Sequence, residues 1–492
     1  MTGLLAIEGE KLGPTVLGSE QPGMKPAESE EKVMEPNITG QIAYRIRWVL
    51  ALVALGTVAS HLAGPSVQFI MTSFFAQDYN GGDCEEHPKS EPCRRGAADL
   101  AFYNGVSNGL SHAVAWAAAM VLGSWSDAVG RRPFIRAKAV FGVAPAIALC
   151  LHVFWGCTLW VYLVVTPMFY AFDNVAVFLA CMNDLITEPH LRSGSFGVLM
   201  GFFIAMAGLT LPLGGLLPVT AAVAASLAVT LVHVAYAFTC FPETLPESVN
   251  KKSPPGICAI MRLSVEIFGR NTFILRMVVV LVLSGFGSAG LGTLLPSYMM
   301  AYLGFNRKLG AVLVFLCGVS VALSLTFLLA PLLHRYGEVT TMKISLACAV
   351  IYPLLIPLCE NAAQFSVLTF IFVGPCALQF PVISSIKSNL VGEDEQGIVQ
   401  GALASVRVLA VAISDPLFGF IYRLSTDNGM RESRFSALVP TLCVVSLSAL
   451  ACFVAQGLPP QPPPHTKRVP SFPEDRQESS RDGLRLPLLG AC

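Results

Sequence analysis

Apolar runs of roughly 20 residues recur along the whole chain, each long enough to cross a hydrocarbon core of about 30 Å at about 1.5 Å per residue. Hydrocarbon offers no water to backbone N–H and C=O groups, so such runs must be helical there, and a chain made of them folds as a helical membrane bundle. About twelve runs are present: Trp48 to Thr72, Leu100 to Leu122, Phe134 to Trp155, Thr158 to Met182, Ser195 to Leu217, Thr220 to Cys240, Leu275 to Tyr298, Leu309 to Leu332, Thr341 to Leu358, Gln364 to Ile386, Ile398 to Ile421 and Phe435 to Gln456. The expected fold class is an all-α membrane protein of about twelve transmembrane helices in two pseudo-symmetric six-helix bundles. Composition agrees, because 54% hydrophobic and 13% charged residues with a mean hydropathy of +0.62 exceed what a soluble globule of 492 residues needs.

Between the second and third spans lies Gly123-Ser124-Trp125-Ser126-Asp127-Ala128-Val129-Gly130-Arg131-Arg132-Pro133, a charged hinge between two apolar runs. Its glycines suit a tight reversal, and its arginines are expected to stay in water on the cytoplasmic side. With the amino terminus cytoplasmic, most of the 32 Lys and Arg fall on the cytoplasmic side, which places both termini there, in a plasma or organelle membrane. Met1 to Gln41 lacks the apolar core of a signal peptide, so the first span is expected to serve as its own signal.

The expected organisation is a disordered cytoplasmic tail over 1–40, a six-helix bundle over 41–241, a cytoplasmic linker over 242–271, a second bundle over 272–456 and a disordered tail over 457–492. Leu333-His334-Arg335-Tyr336-Gly337 follows the eighth span where the second half would repeat the hinge, with His334 in the place of Asp127. Of the 14 cysteines, most fall in or beside spans as small packing residues. Cys84 and Cys93 share the first outer loop, where a loop-closing disulfide and two free thiols are both open. The Asn37-Ile38-Thr39 sequon lies in the expected cytoplasmic tail, on the wrong side for glycosylation.

A formal net charge of +0, with no basic patch interleaved with aromatics, gives no hint of nucleic acid. No phosphate-cradling loop, paired metal spacing or nucleophile with its base is present, so neither an enzyme nor an ATP-driven pump is expected, and no cofactor or metal site.

The hinge Gly123 to Arg132 resembles the loop 2-3 signature of the major facilitator superfamily. Asp184-Leu-Ile-Thr-Glu-Pro-His-Leu-Arg-Ser193, Phe241-Pro-Glu-Thr-Leu-Pro-Glu247 and Gly392-Glu-Asp-Glu-Gln-Gly-Ile-Val-Gln-Gly401 resemble its drug:proton antiporter branch, the tetracycline-efflux-like and hippocampus-abundant-transcript-like proteins. The likeness covers most of residues 40 to 456. Departures are the missing Arg in the middle of helix 4, Ala128 for a common basic residue, one extra residue before Thr187, and a helix-5 antiporter signature only approximated by Gly208 to Gly215. The match therefore supports transport more firmly than antiport.

The resemblance implies a conformational latch in which Asp127 faces the start of helix 11 near Gly397 and Gly401, whose positive end attracts a carboxylate by about 0.3–1 kcal/mol. Gly123, Gly130, Arg131, Arg132 and Arg407 belong to the same expected latch, against the alternative of a merely solvated loop. Ionisable groups at bilayer depth are costly and mark candidate solute and proton positions, here His61, His112, Asp173 and Asp415. The resemblance implies that helices 1, 4, 7 and 10 line the cavity, which favours His61, Asp173, Asn174, Ser284 and Gln379. For His61 and His112 helix packing is an equal alternative, and for His152 and His233 packing is expected. Arg407 is the one Arg or Lys deep in a span, either functional or snorkelling to the cytoplasmic face. Gly64-Pro65, Pro145, Pro375, Pro381 and a helix-5 hinge at Pro212, Gly214 and Gly215 are expected helix breaks.

The expected function is secondary active transport of a small organic solute by alternating access, coupled to protons, in a monomer whose partners are solute, proton and lipid. The alternative is a transport-inactive scaffold or receptor with the same fold.

Overall fold

The computed structural model describes residues 38–170, 172, 175–186, 189–245, 272–390, 396–427 and 438–459. No strand occurs among the described residues, and each of the twelve expected spans falls on helix over most of its described part. Arg47–Leu62 and Gly64–Ala76 form α1, bent at Ala63 ahead of Pro65. Glu91–Val129 is α2, and Arg132–Phe141 with Val143–Trp155 is α3. Trp160–Tyr170 and Val175–Leu185 make α4, Pro189–Leu216 is α5 and Val219–Thr239 is α6. In the second half Thr272–Tyr298 is α7, and Arg307–Leu323 is α8, prolonged by a π-helical turn at Ser324–Leu328. Leu329–Leu355 turns at Gly337, beyond which residues 338–355 are α9. Ala362–Ala377 and Gln379–Leu390 form α10, Gln396–Asp427 is α11 and Leu438–Gln456 is α12. Residues 1–37, 246–271 and 460–492, which carry the expected tails and most of the linker, lie outside the described residues.

Each half closes its own apolar core. Val49, Phe178, Met182 and Phe241 pack together in the first half, and Phe75, Leu100, Leu159 and Val223 form its other cluster. Met277, Leu346, Ile383 and Ala455 do the same in the second half, beside a cluster of Tyr298, Tyr352, Phe365, Phe418 and Tyr422. The repeat survives at the turns: Gly130 has φ 114°, ψ 162°, and Gly337 at the corresponding place has φ 74°, ψ 172°. A side chain is strained at such φ, so glycine persists where the neighbouring charges do not.

Two ends of the bundle can be told apart, the hinge end at Gly130 and the disulfide end, where Cys84 and Cys93 are bonded. At the disulfide end the halves meet backbone to backbone. A Cβ on Gly105 of α2 would lie 2.5 Å from the Asp415 carbonyl oxygen of α11, and one on Gly109 2.6 Å from that of Ala412. Gly419 backs onto the Ala101 carbonyl in the same seam. Lipid gives helices no hydrophobic reason to associate, so close packing through small residues supplies the attraction. The expected helix-5 break is corrected here: α5 runs unbroken through Pro212. Gly214 instead admits the Leu62 carbonyl of α1, and Gly215 admits Ala311 of α8. The break in α3 likewise falls at Gly142 rather than Pro145.

Gly105→Val is expected to wedge α2 away from α11. A cysteine introduced at Asn104 should then react several-fold faster with a membrane-impermeant maleimide added from the disulfide end, and equal labelling with and without the valine would contradict the seam.

Candidate functional site

Asn104, Asn108 and His112 recur at every fourth position of α2 and present one polar stripe to the interior. With Gln68 of α1, Thr293 and Ser297 of α7 and Asp415 of α11 they line a cavity of about 250 Å3 between the halves. Asp415 is its centre of charge. Its Oδ1 accepts a hydrogen bond from Thr293 Oγ1 at 2.8 Å, and its Oδ2 lies 3.7 Å from His112 Nε2. The Asp415 side chain is 7% exposed against 36% for His112, so the carboxylate is the sequestered partner and the imidazole the accessible one. His112 belongs to the first half and Asp415 to the second, so this contact spans the line along which the halves would part.

The other sequence-predicted residues fall elsewhere. His61 approaches the Thr57 carbonyl at 2.9 Å through Nδ1 and meets Phe203 edge-on, outside the cavity lining. Ser284 donates to the Leu281 carbonyl at 3.4 Å. Gln379 opens the second segment of α10, where its N–H meets Ser345 Oγ. Asp173 and Asn174 lie outside the described residues. His233 is buried against Gly56, while His152 Nδ1 lies 2.6 Å from the Cys157 carbonyl. Arg407 crosses Gly285 of α7, with its Cγ 3.1 Å and its Nε 3.6 Å from where a Cβ would stand. Gln68, Asn104, Asn108, Thr293 and Ser297 were missed in the sequence, although the four-residue stripe of α2 was a readable signal.

At the hinge end the expectation of solvated arginines is corrected. Arg131 is 5% exposed, its Nε 3.0 Å from Asp184 Oδ2 and its Nη1 bonded to Ser126 Oγ. The backbone N–H groups of Arg131 and Arg132 donate to the two carboxylate oxygens of Glu243 at 2.8 and 3.0 Å. Thr244 Oγ1 completes the cluster by donating to Asp184. Three of the four stretches that carry the family likeness therefore meet in one charge network within the first half. Gly397 and Gly401 fall in the first turns of α11, whereas the side chain of Asp127 lies outside the described residues.

Two further ion pairs close the disulfide end. Arg423 Nε of α11 meets Asp99 Oδ1 of α2 at 2.8 Å, and Tyr79 Oη donates to Asp99 Oδ2 at 2.7 Å. Arg307, at the start of α8, reaches into the first half, 3.3 Å from both Glu85 Oε1 and Ser66 Oγ and bonded to the carbonyl of Leu217, just past the end of α5. Both pairs join opposite halves, so closure at this end is fastened by charge as well as by the glycine seam.

Two helical halves that share a polar cavity, sealed at one end by contacts between them, have the architecture of a membrane-transporter fold. The family model of the Major Facilitator Superfamily matches residues 53–414, and the chain belongs to that superfamily. Hippocampus abundant transcript 1 protein of Mus musculus is 23% identical over 338 residues, covering 65% of this chain and 65% of the relative. Hippocampus abundant transcript-like protein 1 of Rattus norvegicus is 22% identical over 378 residues, 72% of this chain and 73% of the relative. The chain thus spans about two thirds of the length of these curated relatives, 65% for the mouse protein. Among solved structures, the human organic anion transporter MFSD10 (TETRAN) superposes with a TM-score of 0.58 at 20% identity, over 86% of this chain and 100% of that one. A D-xylose-proton symporter matches with a TM-score of 0.57 at 12% identity, over 85% and 97%. The protein is a multi-pass membrane protein with the transporter fold.

Burial works against ionisation of Glu243, but the backbone N–H groups of Arg131, Leu245, Arg132 and Thr244 outweigh it and hold its carboxyl below the ordinary value. A carboxyl depressed on folding stabilises the fold above its unfolded pKa, and the contribution is lost as pH falls through the folded pKa. Glu243→Gln should therefore melt lower than the wild-type protein at neutral pH, with the gap closing as pH drops through the carboxylate range. Thermal unfolding of purified protein at a series of pH values reads this directly, and a gap independent of pH would contradict it.

Proposed function

We propose that the protein is a secondary active transporter that moves a small organic solute by alternating access, with His112 and Asp415 handling the coupling proton. The observation that carries this is a buried carboxylate in the cavity wall held jointly by the two halves, Thr293 on one side and His112 on the other. When the seam opens, His112 leaves with α2 and Asp415 keeps Thr293 alone. An uncompensated carboxylate in a low-dielectric interior is costly, so it is neutralised by a proton, and opening thereby becomes linked to protonation. His112 is the accessible member of the pair, and an imidazole can both accept and release a proton.

The hinge end is the cytoplasmic end, with both termini on that side, which the excess of Lys and Arg in its loops supports. There Asp127 would latch the opposite state against the amino-terminal turn of α11, on the pattern of the superfamily hinge. Exchange of protons for solute is supported by the likeness to the antiporter branch, and the cavity geometry supports coupling as such. The carrier functions as a monomer, because each half already supplies one wall of the cavity.

The test is flux in proteoliposomes with an imposed pH gradient. Asp415→Asn and His112→Gln should each abolish uphill accumulation while exchange between equal pools of solute persists, and Asp127→Asn should slow turnover at normal expression. If both cavity variants concentrate solute as the wild-type protein does, the pair is not the proton site. If the wild-type protein shows no flux of any solute, the scaffold alternative stands.

A further inference from the structure

The deepest cation of the chain is not spent by any part of the mechanism above. Arg407 lies 11 residues into α11, about 16 Å along the helix axis from Gln396. Its side chain is exposed, and the question is to what. The exposed apolar residues Leu409, Ile413, Leu417, Phe420 and Leu424 mark the lipid face of α11. At about 100° per residue, Arg407 stands about 120° around the helix from the middle of that face, about 40° from Val411 and about 80° from Asp415, both of which line the cavity. The facing helix repeats the pattern, since Gly285, Ala289 and Thr293 of α7 follow one another at the same spacing and the last two line the cavity. Arg407 therefore occupies the next turn of the cavity wall, on the hinge-end side of Val411.

The side chain also does not run along the helix toward the surface. Its Cγ and Nε lie across Gly285, at the arginine's own level, and the missing Cβ of that glycine is what lets it pass. No ion pair or hydrogen bond of Arg407 occurs among the described residues. The nearest described carboxylate on its helix, Asp415, is two turns away at about 12 Å and already engaged by Thr293 and His112. An uncompensated guanidinium at this depth is costly unless a ligand or water of the cavity meets it.

Resting on the transporter reading, we infer that the solute is a small organic anion whose carboxylate or phosphate oxygens bind Arg407, while its uncharged polar body is held by Gln68, Asn104, Asn108, Thr293 and Ser297. The planar guanidinium presents paired donors that fit an oxyanion, and charge-assisted bonds of this kind are the strong ones in a cavity wall. The amides and hydroxyls one to two turns further in offer donors and acceptors but no second free charge, which suits hydroxyl or amide groups on the body. A polar chamber of about 250 Å3 lies below the range of about 300–1,000 Å3 common for drug-sized ligands, so the body is metabolite-sized.

The test is thermal stabilisation of the purified full-length protein by charge-matched probes: gluconate, glucose 6-phosphate, glucose and glucosamine on one scaffold, and benzoate, benzamide and benzylamine on another. Within at least one scaffold the anion should raise the melting temperature by several degrees more than its neutral and cationic counterparts. Comparison of gluconate with glucose 6-phosphate separates carboxylate from phosphate. Arg407→Gln should weaken the anion by about tenfold to a hundredfold. Arg407→Lys should retain part of it, and Gly285→Leu, which keeps the charge but displaces it, should also weaken it. An unliganded melting temperature close to that of the wild-type protein shows that each variant is folded. Absence of any anion preference in the wild-type protein overturns the inference, as does a preference that survives Arg407→Gln. Either result leaves the carrier reading intact, because proton-driven flux of a neutral or cationic solute would still be measurable in proteoliposomes.

Discussion

A carboxylate buried in a membrane helix is tolerable only while something compensates its charge, and Asp415 draws that compensation from both halves of the molecule. Thr293 stays with it in any rigid-body motion of the second half. His112 does not. With the disulfide end closed, Asp415 has both partners, and on the proposed reading departure from that state would require its charge to be neutralised. Removing one partner of a buried pair costs about 3–5 kcal/mol, far more than a solvated ion pair at about 0–1 kcal/mol. The pair of Asp99 with Arg423 is as sheltered, its side chains 8% and 32% exposed against 7% and 36% for Asp415 with His112. An arginine keeps its charge over the accessible pH range and an imidazole does not, so on the proposed reading the pair of Asp415 with His112 is the one whose protonation state would govern closure.

The backbone makes that pairing available. Gly105 and Gly109 bring α2 against the carbonyls of Asp415 and Ala412, and any Cβ at either position would collide with them. His112 then reaches Asp415 from two turns further along its own helix. Proline enters the same logic, because Pro416 follows Asp415 within α11 and cannot donate the backbone hydrogen bond of its position. Helix contacts in lipid depend on close approach of small residues, so the packing that seals the disulfide end also sets the geometry of the charged site.

Much of this was legible in the sequence, and what was not has a physical pattern. Run length alone located the spans, because hydrocarbon thickness sets a minimum helix length. His112, Asp415 and Arg407 stood out because a charge inside an apolar run is costly wherever it points. Hydropathy carries no azimuth, however, so His61 looked as good as His112 although its ring is turned to Phe203 and its own helix carbonyl. Azimuth was partly recoverable from spacing, as Asn104, Asn108 and His112 show. Glu85, Asp99, Arg307 and Arg423 sit at span edges, where a charged residue is ordinary, and only their pairing across the halves gives them meaning. Arg131 read as a solvated loop cation because the partners that bury it, Asp184 and Glu243, are 53 and 112 residues away in sequence.

The two ends of the molecule are consequently built on different principles. At the hinge end Arg131, Asp184, Glu243 and Thr244 bind one another inside a single half, so that network holds its shape whether or not the halves approach there. At the disulfide end the ion pairs of Arg307 with Glu85 and of Arg423 with Asp99 run between halves, so parting of the halves there would break them. The Cys84–Cys93 bond lies beside this second set, closing the short loop that carries Glu85 toward Arg307. Tying that loop lowers its freedom in the open state, and a donor or acceptor held in place loses less entropy each time the pair re-forms. On the proposed reading the protein closes and opens repeatedly over a small free-energy difference. Permanent charge contacts within a half, reversible ones between halves and a covalent tie on the loop that presents them meet that requirement together.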